Sequence, residues 1–422
     1  MPSNLQPYTR PISSRPSQSW TRFFKALLFF ILFNSGCFMI NASQFIFLLP
    51  LRILPFHFTK QLYGEGIRYT KGAFGCLLIL MCHWFAPTKI KVTFETKGKG
   101  SFSQEHVSRL IRTYYDCNAG FLDLPKKFIL TANHQIYADW WYMWCLMYFV
   151  SPQGVHRNVY ITLKKSLQWL PIVGWGMQLF NFIFLARSWA SDKHELASRL
   201  ATLGKQAEQE DYPLCFILYP EGTLVSKDTR PISKKFADKM GISDMDHLLL
   251  PRSLGLHYSL RSLAPRIPDL HLLDLTVIYP GIPSLAYGQD YYTLRSIFFD
   301  GVAPPVIHMH LRLFKVATDV PIGDLSATES STIPSTKAEN HVVEVDIPSD
   351  EKAVFDAWLR ELWQEKDSDI AAYHDQNLPR DMNEYFVEIP LKLRHRREYL
   401  DAFCFFSPAA FGYFWRQLRQ WI

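Results

Sequence analysis

From Phe23 to Leu49 the chain is almost wholly apolar, and that run limits the fold more than any other feature. It exceeds the ~20 residues with which a helix crosses a bilayer. In hydrocarbon every backbone N–H and C=O must find its partner inside the segment, which leaves a helix as the conformation. A secretory signal has an apolar centre of only ~7–15 residues, so the expectation is a retained anchor. Asn34 and Asn41 interrupt the run, and Arg10, Arg15, Arg22 and Lys25 precede it or open it. Those cations favour a cytosolic N-terminus. A second apolar run, Ala73–Ala86, is short for a span and reads as a re-entrant or interfacial helix, or as a short partner of the first. If the two form a hairpin, the rest of the chain faces the cytosol.

Beyond this region, strand-length apolar runs alternate with helical patterns. The runs are Lys89–Glu95, Phe128–Ala132, Val159–Leu163, Phe182–Ala186, Leu214–Tyr219, His247–Leu250 and Leu272–Tyr279. Helical periodicity covers Asp139–Val150, Lys164–Phe180 and Asp192–Glu210, with a further helix near Gln104–Tyr115 and another at Glu351–Lys366. Such alternation implies an α/β fold, a mixed sheet flanked by helices. An N-terminal membrane-embedded helical region precedes it and a C-terminal helical extension follows. The expected division is a disordered Pro/Ser-rich stretch at 1–22, membrane-associated helices at 23–87, the α/β domain at 88–315, a mobile loop at 316–350 and the extension at 351–422. Within the extension, Tyr399–Trp415 follows the basic run Arg394-His395-Arg396-Arg397 and reads as a surface-lying helix or one packed on the domain.

Composition narrows the partners. A net charge of +6 without a dense Lys/Arg block suits an anionic membrane surface and argues against nucleic acid. The 32 phenylalanines suggest contact with lipid as well as a core. The cysteines are scattered without C-x-x-C or zinc spacing, so reduced, buried thiols and no metal site are expected. His194, His247 and His257 have no ligand-like partners and read as structural.

Two strand ends carry chemistry. After Phe128–Ala132 comes Asn133-His134-Gln135-Ile136-Tyr137-Ala138-Asp139. Residues five apart do not share a helix face. His134 and Asp139 can meet only if the histidine sits on the turn before a helix and the aspartate in its first turn. The carboxylate would then fix the tautomer and leave Nε2 free to take a proton from a hydroxyl. Imidazole suits that task because it ordinarily titrates near ~6.5. The second end is Tyr219-Pro220-Glu221-Gly222-Thr223, a tight turn projecting a carboxylate and a hydroxyl. Each element alone is also what an ordinary helix cap or turn would show.

Taken in order, the blocks resemble the glycerolipid acyltransferase superfamily, which contains the 1-acylglycerol-3-phosphate acyltransferases. Asn133–Asp139 matches its N-H-x-x-x-x-D block and Tyr219–Thr223 its F-P-E-G-T block, with tyrosine in place of phenylalanine. Phe184 and Arg187 match the end of its middle block, where Asn181 departs from the usual glycine, and Leu250-Pro251-Arg252 matches a later element. Leu170–Trp175 looks like the lysocardiolipin and lysophosphatidylinositol acyltransferase branch. The resemblance spans roughly residues 80–315. It implies acyl transfer from acyl-CoA as co-substrate, with no bound cofactor, to a lysophospholipid at a bilayer surface. His134 and Asp139 would be catalytic, Glu221, Gly222 and Thr223 would hold the acceptor's glycerol, and Arg187, with Arg252, its phosphate. Leu224 stands where members acting on lysophosphatidic acid commonly carry arginine, which favours an acceptor with a head group, lysophosphatidylinositol first. The alternatives are lysophosphatidic acid or lysocardiolipin as acceptor, a transacylase independent of CoA, and a non-enzymatic lipid-binding scaffold. The enzyme class implies the endoplasmic reticulum membrane, with the catalytic domain facing the cytosol.

Overall fold

A computed structural model of the protein describes residues 6–16, 19–113, 120–152, 154–186, 188–325, 347–375 and 386–405. Its centre is a mixed eight-stranded sheet. The strands are β1 (Lys89–Phe94), β4 (Lys127–Ala132), β5 (Val159–Lys164), β6 (Ile183–Leu185), β7 (Leu214–Leu218), β8 (His271–Ile278), β9 (Val306–Lys315) and β10 (Phe386–Pro390), with β2 (Ile111–Thr113) and β3 (Gly120–Leu122) forming a separate ribbon. The order across the sheet is β10-β1-β9-β8-β4-β7-β5-β6. From β8 to β6 neighbouring strands run parallel. β9 pairs antiparallel with β8, and β10 antiparallel with β1. All five residues of β7 are buried, as is β4 after its first residue, which is why both read as unbroken apolar runs rather than alternating ones.

Several expectations are revised. His247–Leu250 forms no strand; it belongs to a bent loop whose N–H groups are taken by side chains, Asp367 for His247 and Leu248, Glu221 for Leu249 and Ser233 for Leu250. Lys164–Phe180 is no single helix: a 3-10 turn at Lys165–Trp169 is followed by a break and a short helix at Val173–Leu179. Pro171 lacks an N–H and Ile172 adopts φ +64°, so the helix cannot run through. The Gln104 helix ends at Leu110, where β2 begins. The sheet is not confined to 88–315, because β10 comes from the C-terminal segment. Within 1–22, residues 6–16 make two 3-10 turns docked on the domain, where the Arg15 guanidinium donates to the Tyr291 carbonyl at 2.6 Å. Pro7, Pro11 and Pro16 restrict the backbone of that stretch and lower the cost of ordering it. Residues 326–346 of the expected loop and 406–415 of the expected terminal helix lie outside the described residues.

The Trp20–Ile53 helix is long and apolar enough to cross a membrane. Two of its polar residues face the protein. Asn41 donates to the Ile172 carbonyl, and Gln44 donates to Thr70 at 3.2 Å. Phe23, Phe24, Leu28, Ile31, Phe38 and Ile46 are exposed along its other side. The Ala73–Ala86 run proves to be the C-terminal half of a helix, His57–Phe85, whose residues Ala73–Cys82 are all buried. It packs against the first helix, with Leu77 lying where a Cβ on Gly36 would fall, so of the arrangements considered the structure has the partner one, in a longer helix. Each fully buried leucine here contributes roughly 1.5–3 kcal/mol. The six described cysteines are free and buried.

Candidate active site

Three adjacent parallel strands, β8, β4 and β7, end at one edge of the sheet, where ligands of such folds bind. Each delivers one residue of the site just past its end: Tyr279 after β8, His134 after β4 and Glu221 after β7. Asn133 anchors the β4 end. It is fully buried, and its amide exchanges two hydrogen bonds with the backbone of Val277, at 2.9 and 2.7 Å.

Asp139 opens the Asp139–Tyr148 helix and is fully buried. Its Oδ2 accepts from His134 Nδ1 at 2.7 Å, from the Gln135 N–H at 2.7 Å and from the Ile136 N–H at 3.0 Å. Its Oδ1 accepts from the Tyr279 hydroxyl at 2.6 Å. A carboxylate only accepts, so Nδ1 carries the proton and Nε2 is left as a base. The ring of Tyr219 lies over the imidazole, with centroids 4.4 Å apart and planes 23° apart, and limits its rotation. The His134 side chain keeps 20% of its surface exposed, enough for a substrate hydroxyl to reach it.

Glu221 is buried in the turn after β7, where Gly222 takes φ +71° and closes the bend with an N–H to the Tyr219 carbonyl at 2.9 Å. One Glu221 oxygen accepts from the backbone N–H of His134 at 3.1 Å and the other from that of Leu249 at 3.2 Å. Burial pushes its carboxyl up to about 8, against the two N–H groups and the Lys366 charge, which pull it down. In this structure, then, Glu221 ties the histidine loop to the 246–250 loop. That second loop is held from both sides. Arg230 donates to the carbonyls of Met245, Asp246 and Leu248, and Asp367 accepts from the N–H groups of Asp246, His247 and Leu248. Arg230 is thus committed to backbone and, at 3.8 Å, to the Asp244 carboxylate.

Beside Glu221 a groove of about 430 Å³ opens, lined by Thr223, Arg252 and an apolar wall that includes Ile232, Phe236 and Leu250. Leu224 is buried at 6% exposure, behind the lining residue Thr223. Arg187 lies outside the described residues, while Phe184 before it is half-buried at the edge of the main core. Tyr279, the stacking role of Tyr219 and the contribution of Asp367 were not anticipated from sequence. Tyr279 ends an apolar strand with a polar hydroxyl, the signal that was available for it.

A family model described as Acyltransferase matches residues 117–257. A 2-acyl-1-lysophosphatidylinositol acyltransferase of Saccharomyces cerevisiae is 34% identical over 349 residues, covering 73% of this chain and 75% of the relative. The chain belongs to the acyltransferase family. An acyltransferase of Schizosaccharomyces pombe described as uncharacterized is 33% identical, covering 83% of this chain and 86% of its own. Lysocardiolipin acyltransferase 1 of Danio rerio is 28% identical, over 59% of this chain and 53% of its own. The acyltransferase match contains both strand-end motifs and stops before the C-terminal helix and β10, two elements that the fold nevertheless builds into the domain.

Proposed function

We propose that this acyltransferase moves a fatty-acyl group from acyl-CoA to the free glycerol hydroxyl of a lysophospholipid, with lysophosphatidylinositol as acceptor. The observation that carries the proposal is the His134–Asp139 pair at the sheet edge, with Nδ1 occupied and Nε2 free. A thioester is already activated, so one base is enough. His134 Nε2 takes the proton as the acceptor oxygen bonds to the thioester carbonyl carbon. The carbon–sulfur bond then breaks, and the proton passes to the departing CoA thiolate. Asp139, held by Tyr279, keeps the imidazole in its tautomer and stabilises the imidazolium. Arg187 and Arg252 supply the positive charge that the acceptor's phosphate needs, and Gly222 lets the turn bring Thr223 to the groove.

The choice of lysophosphatidylinositol rests on the name of the yeast relative and on Leu224. Without a cation at that position, a phosphodiester of one charge is favoured over a phosphate monoester of ≈ −1.5 to −2. The apolar Trp20–Ile53 helix supports anchoring in a bilayer. Endoplasmic reticulum, with residues 128–255 on the cytosolic side, follows from where acyl-CoA is made available. The test gives detergent-solubilised enzyme acyl-CoA as sole donor and offers lysophosphatidylinositol and lysophosphatidic acid together. Phosphatidylinositol as main product is expected. Preference for lysophosphatidic acid refutes the acceptor, transfer only from a phospholipid donor marks a transacylase, and no transfer marks a scaffold.

A further inference from the structure

The groove beside Glu221 has two walls of different origin. One, with Thr223, Arg252 and the apolar side of the Arg230–Met240 helix, belongs to the region matched by the family model. The other comes from the C-terminal helix Ser349–His374, which contributes Lys352, Asp356 and Arg360. The charges on this second wall are arranged unevenly. Asp356 is engaged, accepting from Lys352 at 2.8 Å and from the Ser253 hydroxyl. Arg252 and Arg360 are different: among the described residues neither guanidinium has a carboxylate within ion-pair distance, although both line the same concavity. Two guanidinium groups without a carboxylate partner in one groove suit an anion, which each can meet with two parallel donors.

Chemistry decides which phosphate. The side chains of Arg252, Lys352 and Arg360, set against Asp356 and the buried Glu221, leave a modest positive excess around the Asp356 carboxylate. A multiply charged nucleotide phosphate would engage the cations but leave that carboxylate without a donor of its own. A singly charged phosphodiester carrying a hydroxylated head group uses both kinds of group, with guanidinium on phosphate oxygens and carboxylate on hydroxyls. The exposed Ile232, Phe236 and Met240 give the same groove an apolar flank.

We infer that the C-terminal helix reads the acceptor's head group, with Arg360 and Arg252 clamping its phosphodiester and Asp356 accepting from its hydroxyls. This rests on the lysophospholipid reading above and adds to it a specificity element outside the family's matched region. Arg360 is half-buried and unpaired, so its removal leaves no buried charge behind.

The experiment measures KM for lysophosphatidylinositol and for acyl-CoA separately, in wild type, Arg360→Ala, Arg360→Lys and Asp356→Asn, with thermal midpoints as a folding control. Arg360→Ala is expected to raise KM for the lysolipid about tenfold, the loss of one charged hydrogen bond or more. KM for acyl-CoA should stay within about twofold, and Arg360→Lys should recover part of the loss. Asp356→Asn should weaken lysophosphatidylinositol more than lysophosphatidic acid, which has no head-group hydroxyls. A rise in the acyl-CoA KM instead assigns the groove to the nucleotide and overturns the inference. Unchanged KM values with a native midpoint overturn it as well. If the wild-type enzyme ignores lysophosphatidylinositol, the acceptor assignment fails by itself. The same variants are then read with the acceptor the enzyme does use, and an unchanged KM there overturns the clamp.

Discussion

Glu221→Gln separates two roles for the same carboxyl. The family resemblance places Glu221 at the acceptor's glycerol, whereas its two oxygens accept the backbone N–H groups of His134 and Leu249, at 3.1 and 3.2 Å. An amide keeps the size but has one accepting oxygen, so its NH₂ must face one of those N–H donors. Leaving a buried donor unsatisfied costs roughly 1–3 kcal/mol, on the order of 5- to 150-fold if all of it is expressed as lost population of the active arrangement. The expected result is a kcat lower by about 10- to 100-fold with the acceptor KM little changed, because the histidine and not the substrate loses its support. Steady-state kinetics with both substrates varied is the assay. A kcat within about twofold of wild type together with a raised acceptor KM would show that Glu221 acts on the acceptor and would refute the positioning role.

His134→Ala should lower turnover by ~10²–10⁴ while leaving the protein folded and in the membrane, and more than about a tenth of wild-type activity would exclude it as the base. Tyr279→Phe removes one hydrogen bond from Asp139, so a loss of about 3- to 30-fold confined to kcat is expected, read in the same assay. The pH dependence follows from the sign of the Glu221 shift. Its carboxyl in the fold titrates above the ordinary carboxylate range, at about 8, so stability falls as pH rises through that window. The thermal midpoint should drop between about pH 4.5 and about pH 8, the ordinary and the folded position of this carboxyl, and Glu221→Gln should flatten the curve; an equally steep curve in the variant would assign the dependence to other groups. Extraction at high salt and alkaline pH should leave the protein in the membrane pellet, and its appearance in the supernatant would count against the Trp20–Ile53 anchor.

Much of the site was legible because it is local. Asn133 to Asp139 is one short segment, and five-residue spacing at a strand end has few geometric solutions. The Tyr219–Thr223 turn announces itself by proline and glycine. What escaped reading is what arrives from far away in sequence. Tyr279 meets Asp139 only because β8 lies beside β4, and nothing in either segment states that pairing. β9 alternates polar and apolar residues, its Arg312 facing Glu365 and Asp369 at 2.6 and 3.1 Å, so its polar half looks like surface until the C-terminal helix is laid over it. The same helix hides Lys366, fully buried against Asp274 at 2.6 Å, a pair that no local pattern predicts. His247–Leu250 reads as a strand because a short apolar run looks the same in sequence whether its backbone is bonded by a neighbouring strand or by the side chains of Arg230, Asp367 and Glu221.

The Asp367 contact orders events in time. The carboxylate that fixes the Asp246 N–H is encoded 121 residues later. A ribosome that has already extruded both strand-end motifs has therefore not yet made the residue that steadies the loop under Glu221. On the anchoring proposed above, the nascent chain can seat its apolar Trp20–Ile53 helix and begin pairing its central strands while its catalytic loop is still unbraced. Competence arrives only with the Ser349–His374 helix, so a chain broken off before it would leave an idle protein rather than an unregulated transferase.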